Sequence, residues 1–358
     1  DDMLIDERGP LPWGEEAPNH ALMGRFGNVM LVNGRTDWSL EVERGEVVRF
    51  FLTNVANTRT FNVVFGSGGG ARVKLVASDV GRYEREQWVE SVVIAPAERY
   101  AVDVRFDEPG TVAIVNSVQA VNHFRGEFYH QVDTLGLVEV AEERVDGAGE
   151  DAPAVPPGEA FDSLRVHGEV VAEIDRFREH FDRPPDHTLE TTVRVRDLPV
   201  PIMQAMEMDT LYVPPMEWND AMPMMNWLSS AEQVTWILRD VDTGAENGEI
   251  DWSFDVGDVV KIRVHNRPDS FHPMNHPIHV HGQRFLVLSM DGVESENLVW
   301  KDTAIVPVGS TMELLVEMSN PGDWMLHCHI AEHLHSGMMF DFTVVPVEGV
   351  EGEHSPGA

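Results

Sequence analysis

The 358-residue chain has a single cysteine, Cys328. No disulfide can form within it, so its fold must rest on packed cores. With 42% hydrophobic residues it has the material for them, and its length suits two domains. Basic residues are scarce: 26 Lys and Arg stand against 61 Asp and Glu, a formal net charge of −35. Such a surface repels nucleic acid and anionic membranes and attracts cations. It suits a salt-adapted, halophilic host, recruitment of a cationic substrate, or both. No apolar run approaches the roughly 18 residues that a membrane-crossing helix needs. The opening "DDMLIDERGP" has neither an initiator Met nor a signal-peptide pattern, and predicts a processed or truncated chain.

Against this scarcity stands one dense stretch, "HCHIAEHLHSGM" at 327–338. A lone Cys is most often a small buried hydrophobe, and a lone His a satisfied core or surface residue. The clustering argues otherwise. Of 16 His, seven fall in two short runs: His276, His279 and His281 in "HPIHVHG", then His327, His329, His333 and His335. Thiolate, imidazole and thioether together suit copper, and two His, one Cys and a distant Met form the trigonal blue-copper donor set.

The chain also repeats itself. "NGRTDWSLEVERGEVVRFFLTN" (33–54) parallels "NGEIDWSFDVGDVVKIRVHN" (247–266), and "APAERYAVDVRFDEPGTVAIVNS" (95–117) parallels "VPVGSTMELLVEMSNPGDWMLHCH" (306–329). Each unit reads as short strands of period two broken by Gly, Pro, Asn and Asp, an all-β sandwich. In the first copy Val115-Asn116-Ser117 stand where the second has His327-Cys328-His329. The first unit, 1–140, is therefore a scaffold without metal ligands, and 186–348 is the metal-binding unit. Between them, 141–185 opens as an acidic, Pro/Gly-rich linker. It then carries Val170, Ile174, Phe177 and Phe181 at the spacing of one short helix. Residues 349–358 form an acidic tail.

Side chains alternate along a strand, so His279 and His281 share a face and His276 points the other way. His327 and His329 likewise share a face, with Cys328 opposite. Two sites on opposite sides of one sheet edge follow: His276, Cys328, His333 and Met338 in one, His279, His281, His327 and His329 in the other. Cys328 is joined to both neighbouring His by a few covalent bonds, a path for electrons. His335, His265 and His272 read as structural or solvent-facing.

"HPIHVHG" with "HCHIAEHLHSGM" closely resembles the copper signatures of the third domain of multicopper oxidases, the laccase and copper-resistance cuprous oxidase group. "WKDT" (300–303) fits as well, and "HALMGRFGNVMLVNG" (20–34) looks like the family's second domain. The resemblance implies two Greek-key cupredoxin-like sandwiches. It implies type 1 copper on His276, Cys328, His333 and Met338, type 2 on His279, and type 3 on His281, His327 and His329, four coppers in the complete enzyme. It also implies one-electron oxidation of a phenolic or metal-ion reductant, Cu(I) or Fe(II), at type 1 copper. O2 is then reduced to water at the trinuclear cluster, in a periplasmic or secreted protein. The family's cluster takes eight His, four of them from two His-x-His pairs in an N-terminal domain. No His-x-His precedes residue 279 here, so the first domain is expected to be missing and half of the cluster with it.

The substrate stays open. "MQAMEMDTLYVPPMEWNDAMPMM" (203–225) holds seven of the 17 Met. It suits either a cuprous-ion site or irregular core filling. Two other classes compete with the oxidase. A blue-copper electron carrier has no use for the second His set, and a copper nitrite reductase has a His on only one side of its Cys.

Overall fold

The computed structural model describes residues 1–12, 20–66, 70–122, 127–144, 157–197, 216–218 and 230–346. Most of the Met-rich stretch 203–225 therefore lies outside the described residues, as does the tail.

The period-two pattern folds as two β-sandwiches of the same topology. In the first, one sheet runs Val92–Ile94, Phe61–Phe65, Gly110–Asn122, Glu127–Arg144, Ser39–Arg44. The second sheet runs Val47–Thr53, Arg99–Phe106, Ala71–Ser78, Gly81–Val89. Burial follows the alternation: Phe61, Val63 and Phe65 are buried while Asn62 and Val64 are half-exposed. The second sandwich repeats the first sheet as Thr303–Val306, His276–Val280, Gly322–Cys328, Met339–Val345, Trp252–Asp255. Its other sheet gains two strands, His187–Val195 and Val234–Asp240, beside Val259–Asn266. The repeat in the sequence is thus a repeat in strand order, and the architecture is all-β and cupredoxin-like.

The place of Cys328 in the first copy is filled by Asn116. It is fully buried, and its Oδ1 accepts the Asn62 N–H at 2.9 Å. A hydrogen-bonded amide replaces the thiol there.

The apolar stripe of the linker packs as the sequence predicts, but the single helix does not hold. Gly168–Asp175 is α-helical and gives way to a 3-10 turn at Arg178–His180, and a second helix, Pro157–Asp162, precedes it. Ile174 and Phe177 are buried against Trp300, Leu286 and Leu315, with Val170 and Phe181 partly covered. The Phe177 and Trp300 rings meet edge-on at 5.3 Å. The chain passes into the tighter 3-10 turn between Phe177 and Phe181, both of which pack on the sandwich surface. No helix among the described residues is long and apolar enough to cross a membrane.

The two sandwiches are joined by more than the linker. Ala21, Leu22, Met23 and Phe26 belong to the core of the second sandwich. A polar seam adds Lys301, buried against Asp79 (2.9 Å), Glu98 (3.3 Å) and the Ser78 hydroxyl (2.6 Å) of the first.

Candidate metal centre

Strand register builds the site. Gly322–Cys328 runs antiparallel to His276–Val280, with Ile278 opposite Cys328 and His279 opposite His327. Directly opposed residues project to the same face. His276, Ile278 and Cys328 therefore face the core, while His279 and His327 turn to the outer face. The core-side group closes when the short helix Ala331–His335 returns His333 to Cys328. Cys328 Sγ then lies 3.6 Å from Nδ1 of His276 and 3.6 Å from Nδ1 of His333. Met338 is fully buried. Its N–H donates to His333 O at 2.9 Å, and its carbonyl accepts from Cys328 N at 3.2 Å.

The donor set fits copper. Imidazole nitrogens and thiolates hold a first-row ion at about 2.0–2.3 Å, so two such donors at trigonal angles stand about 3.6–3.8 Å apart. One S–H proton can serve one imidazole, whereas both stand at the same 3.6 Å. Burial holds the His276 imidazole down at about 3 and that of His333 well below its usual range, so both are neutral ligands. Burial pushes the Cys328 thiol up. A buried thiolate there needs a cation in place of the proton.

Sequence reasoning missed two parts of the surrounding shell. Trp236, fully buried, stacks on the His333 ring at 4.0 Å and meets His276 edge-on at 5.1 Å. Its Nε1 donates to Ala21 O at 2.7 Å. Nε2 of His333 is 3.2 Å from Leu22 O. Both carbonyls belong to "HALMG", more than 200 residues upstream, and no local signal links them to the site.

The outer-face group comprises four rings. Ring centroids lie 4.8 Å apart for His279 and His281, 5.1 Å for His281 and His327, 5.5 Å for His327 and His329, and 5.7 Å for His279 and His329. Nε2 of His281 is 3.0 Å from Nε2 of His327. His279 Nδ1 is 2.8 Å from Asp302 O, and His327 Nδ1 is 2.8 Å from Cys328 O. Tying one ring nitrogen to a carbonyl aims the other outward, as metal-binding His do. Burial lowers His327 to about 4 and lowers His279 and His329 as well, leaving their lone pairs available. His281 is exposed, so this group opens to solvent. His335 is exposed in the last turn of the short helix, His272 is buried, and His265 bonds Thr311 at 2.9 Å. None of these three belongs to either group.

Two family models, both described as multicopper oxidase, match residues 11–137 and 219–348. The multicopper oxidase mco of Staphylococcus aureus is 38% identical over 92 residues, 25% of this chain and 21% of that protein. Laccase-1 of Melanocarpus albomyces is 30% identical over 105 residues, 24% of this chain and 17% of that protein. Among solved structures, a Campylobacter jejuni multicopper oxidase described as a metallo-oxidase aligns over 91% of this chain and 59% of its own, with a TM-score of 0.59 at 19% identity. McoA from Aquifex aeolicus aligns over 96% and 64%, with a TM-score of 0.60 at 20% identity. The chain thus spans about three fifths of those structures, and the aligned stretches cover about a fifth of the two curated relatives.

Proposed function

The chain belongs to the multicopper oxidase family, and from that premise we propose that it takes single electrons from a reductant and passes them toward reduction of O2 to water. The observation that carries the reading is the pair of donor groups on opposite faces of one strand, with Cys328 in the first and His327 in the second beside His279 and His281, and the His329 ring next to them. Copper supplies one-electron redox chemistry at the first group and a multi-ion store for four-electron chemistry at the second. The protein residues divide the work accordingly. His276, Cys328, His333 and Met338 form the type 1 set, His279 the type 2 ligand, and His281, His327 and His329 the type 3 ligands. From Sγ, the route to either neighbouring His crosses only the Cys328 side chain and backbone. Four reductants each lose one electron, and four protons join O2 to give two waters.

Four imidazoles are half of a trinuclear set, and the exposed His281 leaves that side open to receive the rest. The other four come from a further cupredoxin domain, in the same polypeptide or in a partner. The domain division at 1–140 and 186–348 goes with this reading, as does a periplasmic or secreted location. The reductant is a phenol or a metal ion such as Cu(I) or Fe(II). The net charge of −35 favours the cation, by raising its concentration at the surface.

Oxygen uptake tests the proposal. With cuprous ion or a phenol, the copper-loaded 358-residue chain should accept electrons without sustained uptake. A longer polypeptide carrying two further His-x-His pairs should consume one O2 per four electrons. Sustained uptake by the 358-residue chain alone would overturn the half-cluster reading. No uptake by the longer one would overturn the oxidase.

A further inference from the structure

His279 is backed by Asp302 and Thr303, outside the two His-rich stretches, and they lead into the copper-free sandwich. Its Nδ1 has two neighbours, Asp302 O at 2.8 Å and Thr303 Oγ1 at 2.9 Å. A carbonyl can only accept. Thr303 Oγ1 in turn donates to Asp302 Oδ1 at 2.9 Å, so the side it shows to His279 is a lone pair. Two acceptors at Nδ1 require the proton to sit there, and Nε2 is then the free donor atom.

What fixes the Thr303 hydroxyl is the Asp302 carboxylate, and what fixes that carboxylate is Arg99. The guanidinium binds it in a two-point grip, Nη1 to Oδ1 at 2.6 Å and Nη2 to Oδ2 at 2.7 Å. With Thr303 Oγ1 also donating to Oδ1, the Asp302 carboxylate accepts three bonds and is fixed in place. Arg99 is itself placed by its own sandwich. Its Nη1 reaches Ala97 O at 3.0 Å, and its backbone N–H donates to Asp79 Oδ1 at 2.8 Å.

We propose that Arg99, Asp302 and Thr303 are positioning residues for His279, a hydrogen-bond relay from the copper-free domain that locks the imidazole as the Nδ1–H tautomer and presents Nε2 to the outer-face cluster. The copper-free sandwich is thereby part of the metal site. The metal-binding role of Nε2 rests on the function proposed above, whereas the tautomer does not.

The test therefore starts without metal. Nitrogen NMR of the histidine-labelled, metal-free chain should show His279 protonated at Nδ1. Thr303→Val, which keeps the shape and removes the hydroxyl, and Arg99→Ala should each give mixed tautomers. Arg99→Lys should lie between, because an ammonium restores the charge without the two-point grip. Zn2+ titration of the cluster should then weaken by about 10- to 100-fold in Thr303→Val and Arg99→Ala. The thiolate-to-copper band from Cys328 should keep its intensity, which reports an intact fold. Wild-type His279 protonated at Nε2, or variants with an unchanged tautomer, would overturn the relay. The stated tautomer with no metal bound at the cluster upholds the relay and overturns the trinuclear reading instead.

Discussion

Single residues here do work that the motif does not announce. Trp236 stacks on the His333 imidazole and donates to Ala21 O. Trp236→Phe keeps a ring in place but strands that buried carbonyl, at a cost of about 1–3 kcal/mol. Urea unfolding should record a loss of that size while the blue band persists; an unchanged midpoint would show that the bond contributes nothing. Glu86 is fully buried between Lys74, at 3.0 Å, and Arg165, whose Nε lies 2.8 Å away. Burial would raise its pKa, yet the bonds from Arg165 and Lys74 outweigh it and bring it from 4.5 to about 2. A folded-state pKa below the unfolded one means stability that is present above about pH 4.5 and lost as pH falls toward 2. After screening around the half-exposed Arg165, this is worth roughly 2 kcal/mol. Glu86→Gln should remove that increment at neutral pH and flatten the acid limb, measured by unfolding between pH 2 and 7. An acid limb identical to wild type would sink the assignment.

At the scale of elements, strand parity was legible because it is local. The period of two separates His276 from His279 and Cys328 from its neighbours, and the register Ile278 to Cys328 then assembles the two faces. The repeat was legible for the same reason, down to Asn116 in the place of the thiol. What the sequence hid is long-range. The apolar spacing of 170–181 marks a helix that is present over Gly168–Asp175, but it does not show the change to a 3-10 turn at Arg178–His180. The "WKDT" stretch is visible in the sequence, but the bond that its Asp302 accepts from Arg99 joins residues 203 apart. The "HALMG" segment looked like part of the first unit and instead enters the second core. There Gly24 has φ +75°, and a Cβ on it would stand 2.3 Å from Thr58 Oγ1 and 2.9 Å from Ile330 Cγ2. Left-handed backbone and overpacking together should make Gly24→Ala cost about 2–4 kcal/mol. Ile330 adjoins the helix that carries His333, so copper at the Cys328 group should also be held more weakly. Denaturant unfolding and competition with a copper chelator measure the two effects, and a variant as stable as wild type would contradict the packing described.

For the whole molecule, charge and metal content matter most. At −35, self-repulsion opposes compactness at low ionic strength. Many exposed ion pairs, each worth at most about 1 kcal/mol, weaken as salt is added, but the net repulsion weakens with them. The melting temperature should rise as NaCl goes from tens of millimolar toward molar. A flat or falling curve would mean that the acidity is not an adaptation to salt. The proposed division into one complete donor set and one half set is decided by copper per chain, quantified on the metal-loaded 358-residue protein with its optical and paramagnetic resonance spectra. One tightly held copper is expected, with an intense thiolate band that Cys328→Ser abolishes, and further metal at the four-His group that a chelator strips easily. Four tightly held coppers per chain, or a colourless copper indifferent to Cys328→Ser, would contradict it.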